Sequence, residues 1–286
     1  MIRAIILDVD GVIVGNKIGV NFPLPHTEVI QKLKQVHSRN ISVILCTGKF
    51  NSAILDIIWQ AKLNNPHITD GGALILDPIN NKIIKKYSIE KNILKSCVES
   101  CLKQNIYIEL YTAESYFIQK KQVSDFTLKR EDILQTKPVI VDSLDLIIDD
   151  DKFIKVIAFA KDKSEMPKVE AAIKHLRGKI SSFWSFHPYI DPCRPCVITA
   201  SNVSKANAVK ETLKNLKLSF EESLGIGDSQ SDWGFIKQCK YAATLDNGDS
   251  NIKKLVKTKG SGNFLIARHI DKNGIFDILK YFSLIN

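Results

Sequence analysis

The first sixty residues alternate two hydrophobic periods, and that alternation restricts the fold more than any other feature. Residues 3–8 read as a short strand. Residues 27–38 then place Val29, Ile30, Leu33 and Val36 on one helical face. A β-branched run follows at 41–46, and a second helical pattern at 50–62. Both strand-like runs are dominated by apolar residues rather than alternating, which suits strands buried on two faces of a parallel sheet. The order strand, helix, strand, helix predicts an α/β fold with right-handed crossovers. In open sheets of this class ligands bind beyond the carboxyl ends of the strands. The residues that follow each strand are therefore the first place to look for chemistry.

Beyond Asp70-Gly71-Gly72 the texture changes. Short strands are predicted at 73–76 and 82–87, around the turn Pro78-Ile79-Asn80-Asn81. Next come a helix at 91–103, strands at 106–111 and 116–120, a polar stretch, a strand at 153–160, a helix at 164–177 and a strand at 180–186. Gly178 stops that last helix. Strands met in pairs between helices predict an antiparallel α+β module. After Pro195 the α/β pattern returns, with a strand at 196–199, a helix at 205–215, a strand at 222–226 and a short helix at 233–237. A strand at 241–244 and helices at 252–257 and 275–281 complete it. The expected organisation is a core of residues 1–81 and 191–286, interrupted by an insert of residues 82–190.

Four sites at strand ends or helix starts carry candidate chemistry. Asp8-Val9-Asp10-Gly11 ends the first strand with two carboxylates one residue apart, a crowded like-charge pair that a cation or proton would relieve. Cys46-Thr47-Gly48 ends the second, offering a hydroxyl and backbone N–H groups to an anion at a helix start. Ser204-Lys205 opens a helix, where an anion in front of the lysine would offset its unfavourable position on the helix dipole. Gly227-Asp228-Ser229-Gln230-Ser231-Asp232 follows the strand at 222–226, with two acids spaced so that one or both reach a metal shared with Asp8. Hard oxygen ligands without nearby His or paired Cys favour Mg²⁺ over Zn²⁺.

In that order and spacing, the four motifs resemble those of the haloacid dehalogenase superfamily of phosphohydrolases. Residues 68–73 (Ile-Thr-Asp-Gly-Gly-Ala) and Val203-Ser204-Lys205 resemble stretches of its type IIB cap subfamily, as do the position and α+β character of the insert. The resemblance implies a Rossmann-like α/β core with an inserted α+β cap. It also implies Asp8 as nucleophile, Asp10 as general acid/base, and Thr47, Gly48 and Lys205 as phosphate-binding groups. Mg²⁺ would be held by Asp8, the Asp10 carbonyl and Asp228, with Asp232 beside it. Val12, Lys49 and Ser231 depart from the commoner Thr, Arg and Asn of the family. The implied activity is Mg²⁺-dependent hydrolysis of small phosphorylated metabolites, sugar phosphates among them, through an aspartyl-phosphate. A phosphomutase using the same phosphoenzyme and a catalytically silent binding protein are the alternatives.

Composition narrows the classes further. The net charge is +9 over 286 residues, but the basic residues are mostly scattered lysines with no block of interleaved aromatics, so nucleic acid is not an expected partner. No apolar stretch is long enough for a membrane span, and Asp8 and Asp10 cut short any leader-like segment, so a cytoplasmic location is expected. The six cysteines are then expected as thiols. Cys193 and Cys196 have CxxC spacing without a second pair, and Cys97 and Cys101 read as packing residues. Trp59, Trp184 and Trp233 also read as packing residues, His187 and Arg194 as local packing at the end of the insert, and Asp149-Asp150-Asp151 as a solvated loop. Oligomeric state is not legible.

Overall fold

Ala4, Ile5, Ile6 and Leu7 form the first strand, and all four are buried. Such a strand needs neighbours on both edges and layers on both faces. The computed structural model describes residues 1–149 and 151–286 and supplies the neighbours; Asp150, in the acidic triplet, lies outside the described residues. In chain order the first elements are β1 (Ala4–Leu7), α1 (Thr27–His37), β2 (Ser42–Leu45), α2 (Ser52–Ala61), β3 (His67–Thr69), β4 (Leu74–Asp77) and β5 (Lys82–Lys86). Then come α3 (Lys91–Lys103), β6 (Tyr107–Tyr111), β7 (Tyr116–Gln119), α4 (Asp125–Leu134), β8 (Val139–Val141), β9 (Lys155–Ala160), α5 (Met166–Ile173), β10 (Ile180–Trp184) and β11 (Arg194–Ala200). The last are α6 (Lys205–Asn215), β12 (Ser223–Ile226), α7 (Trp233–Ile236), β13 (Tyr241–Leu245), α8 (Ser250–Lys257), β14 (Phe264–Ala267) and α9 (Ile275–Tyr281).

The chain divides into two compact units: Met1–Phe50, Ile54–Ile84 and Ser204–Asn286 in the first, Asn51–Ala53 and Lys85–Val203 in the second. The first holds a five-stranded parallel sheet in the order β14-β13-β12-β1-β2. The chain passes from β1 to β2 on one side and returns to β12 on the other, so the order reverses between β1 and β12. That reversal opens the crevice in which α/β proteins bind ligands. In a small sheet ordered β3-β4-β5, β3 and β4 belong to the same unit and β5 does as far as Ile84. Amphipathic α1 buries Val29, Ile30, Leu33 and Val36, with Glu28 in its first turn and Lys34 and His37 in its last, as the helix dipole favours.

The second unit is built on a six-stranded mixed sheet, β10-β11-β9-β6-β7-β8. Alternation sorts its faces. Ile108, Leu110, Val156, Ala158, Ala160, Cys196 and Ile198 join Leu94, Cys97, Val98 and Cys101 of α3 and Val169 and Ala172 of α5 in one apolar cluster. Glu109, Tyr111 and Lys155 alternate with these strand residues, and they too are buried.

Several expectations need correction. Residues 196–199 were expected in the core, but β11 pairs antiparallel with β10 and with β9 and so completes the second sheet. The units accordingly divide at 84/85 and 203/204 rather than at 81/82 and 190/191. A short apolar strand carries no mark of which sheet it will join. The polar stretch contains α4 and β8, hidden because α4 has little apolar periodicity and β8 is short and exposed. The helix expected at 164–177 is α-helical only over Met166–Ile173, with 3₁₀ turns on either side. β3 and β14 were not anticipated. Trp59 is 53% exposed rather than packed.

Candidate active site

Register places the candidate residues on one ledge. Leu7 pairs with both Ile226 and Leu45. Asp8 therefore leaves β1 level with Gly227 after β12 and Cys46 after β2. The Asp8 N–H donates to the Ile226 carbonyl at 3.0 Å, and the Cys46 N–H to the Leu7 carbonyl at 2.8 Å. The candidate side chains thus begin where the ladder ends and backbone donors become available.

Asp8, Asp228 and Asp232 converge, each offering a carboxylate oxygen within 4.8 Å of the others. Lys205, the first residue of α6, reaches into the cluster. Its Nζ donates to Asp8 Oδ2 at 2.7 Å and to Asp232 Oδ1 at 2.6 Å. The helix start that holds it is capped by Ser204, whose hydroxyl accepts the Asn207 N–H at 3.1 Å. The anions expected in front of Lys205 are thus in part the protein's own. The second oxygen of Asp232 accepts from the Asp228 and Ser229 N–H groups and from the Ser229 hydroxyl, so both oxygens of this fully buried acid are engaged.

One ammonium against three carboxylates, those of Asp8 and Asp232 buried and that of Asp228 half-buried, leaves the cluster acidic. Burial is the largest influence on Asp8, and with repulsion from Asp232 and Asp228 it outweighs Lys205 and holds the carboxyl well above its usual range. Asp228 is pushed up to about 7, by burial first and then by Asp232. Burial works against the Lys205 ammonium, yet the charges of Asp232 and Asp8 overcome it and keep its pKa well above that of a free lysine. Such a group of hard oxygens with excess negative charge fits a small divalent cation.

Gly11 makes this packing possible. Its φ is +74°, and a Cβ there would lie 1.9 Å from Asp228 Oδ2. No other residue fits between the two acidic loops.

Thr47 is buried and its Oγ1 accepts the Lys49 N–H at 3.1 Å. Gly48 is exposed, with open space where a Cβ would stand. These residues were expected at a helix start, but α2 begins at Ser52. The loop is instead pinned from the 70–71 turn: the Gly71 N–H donates to the Thr47 carbonyl at 3.0 Å and the Asp70 N–H to the Lys49 carbonyl at 2.9 Å.

Asp10 stands apart from the three-acid cluster. Its Oδ1 is 3.0 Å from Lys49 Nζ, and its side chain is 42% exposed while that of Lys49 is 4% exposed. The sequence marks Lys49 by its place after Thr47-Gly48 but gives no sign of this pairing. Asn247 was missed altogether. Its amide donates to the Gly11 carbonyl at 2.7 Å and accepts the Ile270 N–H at 3.0 Å, tying the loop after Asp10 to the end of the sheet. Nothing near Asn247 in sequence singles it out.

The residues set aside earlier are accounted for locally. Cys97, Cys101 and Cys196 are buried, and Cys193 is half-buried. One guanidinium nitrogen of Arg194 donates to Asp191 and to the Pro192 and Cys193 carbonyls, and the group stacks over Phe186. Among the described residues no helix is long and apolar enough to cross a membrane.

The sequence profile of the haloacid dehalogenase-like hydrolases matches residues 5–281. A phosphoglycolate phosphatase from Staphylothermus marinus is 22% identical over 268 residues, covering 92% of this chain and 94% of the relative. A crystal structure of a haloacid dehalogenase-like hydrolase from Bacteroides thetaiotaomicron superposes with a TM-score of 0.84 at 16% identity, over 99% of this chain and 100% of that one. The subclass IIB sugar phosphatase BT4131 superposes with a TM-score of 0.77 at 18% identity, again over 99% and 100%.

Proposed function

The chain belongs to the haloacid dehalogenase-like hydrolases, and from that premise we propose that it is a phosphatase of small phosphorylated metabolites working through a phosphoenzyme on Asp8. The observation that carries the reading is the double contact of Lys205 with Asp8 and Asp232 at the reversal point of the parallel sheet. It sets a carboxylate and a phosphate-binding cation side by side where a ligand enters.

In the first half-reaction an Asp8 oxygen attacks phosphorus in line. The ester P–O bond breaks, and Asp10 gives its proton to the departing alcohol. In the second, Asp10 takes a proton from water, the water oxygen attacks phosphorus, and the bond to Asp8 breaks to release inorganic phosphate. Thr47, the Gly48 N–H and Lys205 hold the phosphoryl oxygens through both steps. Positioning and charge stabilisation supply most of the acceleration. Asp8, the Asp10 carbonyl and Asp228 are the groups suited to Mg²⁺, which when bound neutralises charge on the phosphoryl oxygens. Asp232, with both oxygens engaged, anchors Lys205 and the 228–229 loop.

The relatives named for phosphoglycolate and for sugar phosphates support small phosphomonoesters as the substrate class. A panel of phosphorylated metabolites, assayed for phosphate release with Mg²⁺ and with chelator, tests the reading. Turnover of at least one small monoester that disappears with chelator is expected. Absence of turnover across the panel by protein that binds Mg²⁺ rejects it.

A further inference from the structure

We infer that Lys49 is a positioning residue for proton transfer, holding one oxygen of Asp10 so that the other is left to exchange the proton. The inference rests on the roles proposed above for Asp8 and Asp10. The two carboxylates leave the same strand end, and each has a lysine from a different segment, one at the start of α6 and one in the loop before α2. Lys205 takes Asp8 at 2.7 Å, and Lys49 takes Asp10 at 3.0 Å. Two like charges one residue apart are thereby pulled to separate anchors, which keeps the nucleophile and the acid/base from competing for one cation.

The Lys49 anchor is built from a fixed base. Its N–H is bonded to Thr47 Oγ1 and its carbonyl to the Asp70 N–H, so the backbone is held on both sides. Its Nζ lies 6.0 Å from the centroid of the Phe22 ring. Only 4% of the side chain is exposed. An exposed pair of flexible side chains would contribute little. A buried ammonium is costly unless paired, so this one has a strong reason to stay on Asp10, whose own side chain keeps 42% exposure on the solvent side of the contact. The result is a half-exposed carboxylate on a buried, backbone-anchored tether.

The test follows the phosphoenzyme. With a nitrophenyl phosphate the leaving group scarcely needs an acid, whereas hydrolysis of the phosphoenzyme still needs a base. In Lys49→Met, phosphoenzyme formation should change less than about threefold, while its hydrolysis slows roughly 10- to 100-fold, the penalty of a misaimed group. Acid quench with labelled phosphate should then show more label on Asp8 than in the wild type, with Mg²⁺ affinity unchanged. Lys49→Arg, which keeps a charged donor, should restore the wild-type partition. Equal slowing of both steps, or wild-type labelling in Lys49→Met, overturns the inference. If Lys49→Met shows no cooperative melt, Lys49→Gln is read by the same criteria. Asp10→Asn is the control: label there without extra label in the Lys49 variants overturns this inference alone. If no protein carries label that the Asp8→Asn substitution abolishes, the phosphoenzyme reading and the inference fall together.

Discussion

Each of the two units buries a group of charged side chains, and the two groups are balanced in opposite ways. In the second unit, Arg130 donates from Nε and Nη2 to the two oxygens of Glu109, at 2.9 Å each. The Tyr111 hydroxyl donates to the same carboxylate and accepts from Arg130, closing a ring. Lys155 lies over the face of Tyr111, 4.1 Å from its centroid. One guanidinium meets one carboxylate, and both oxygens of Glu109 are engaged. In the first unit, one ammonium meets the three carboxylates of Asp8, Asp228 and Asp232, and burial with mutual repulsion lifts Asp8 and Asp228. A closed ring packs and orients. An acidic surplus held in place by the fold is a site waiting for a cation or a proton.

Breaking the open cluster should affect chemistry far more than folding. Asp8→Asn removes the proposed nucleophile, and phosphate release should fall roughly 10⁴-fold or more. It also removes one of three repelling charges, so the melting temperature should stay level or rise. A folded Asp8→Asn protein within tenfold of wild-type turnover contradicts the assignment.

The closed ring should respond the other way. Arg130→Met strands the Glu109 carboxylate in a buried site and should lower stability by about 3–5 kcal/mol in urea unfolding. Adding Glu109→Gln to Arg130→Met should recover part of that loss, because the stranded charge is gone. A double variant less stable than Arg130→Met by the full effect of Glu109→Gln alone would mean that the two residues do not act as a pair.

The open cluster was legible in sequence, and the closed ring was not. Asp8, Asp228 and the Thr47 loop each follow a short apolar strand, and in a parallel sheet the ends of such strands share one edge whatever the details of packing. α3, α6 and α9 likewise follow their apolar periodicity over Lys91–Lys103, Lys205–Asn215 and Ile275–Tyr281. Glu109 and Arg130 come from β6 and α4, and α4 carries no usable periodicity, so nothing local announces that they meet. The placement of β11 failed for a related reason: pairing partners lie far away in sequence and are chosen by tertiary packing. Lys49 and Asn247 act through single long-range contacts, which no spacing rule encodes.

His67 offers a third kind of burial, without an ion pair among the described residues. It is fully buried and accepts the Leu45 N–H at Nδ1. Burial lowers its pKa to about 4, against an ordinary 6.5. The folded chain therefore binds fewer protons than the unfolded chain between those values. Stability should fall as pH drops from about 6.5, with the loss complete near pH 4 at roughly 3 kcal/mol. His67→Gln, which keeps an acceptor, should lose that part of the acid sensitivity. Urea midpoints at pH 7 and pH 4.5 for both proteins measure it, and parallel shifts in the two rule His67 out.

The smallest expected effect is also the most direct contrast between the clusters. A cation that neutralises surplus charge binds the folded protein and not the unfolded chain, so Mg²⁺ should stabilise by mass action, about 2.7 kcal/mol at a hundredfold excess over Kd. For a chain of this size that amounts to a rise of several degrees in melting temperature. Asp228→Asn removes a proposed ligand and should abolish most of the rise. It also relieves repulsion, so its melting temperature without metal should match or exceed that of the wild type under the same conditions. Arg130→Met disrupts only the closed ring, so its lower starting stability should climb with Mg²⁺ by the wild-type increment. The readout is thermal and needs no substrate, so it separates cation binding from turnover. If Mg²⁺ lifts Asp228→Asn as much as the wild type, the ion binds elsewhere, and the acidic surplus must be answered by protons alone.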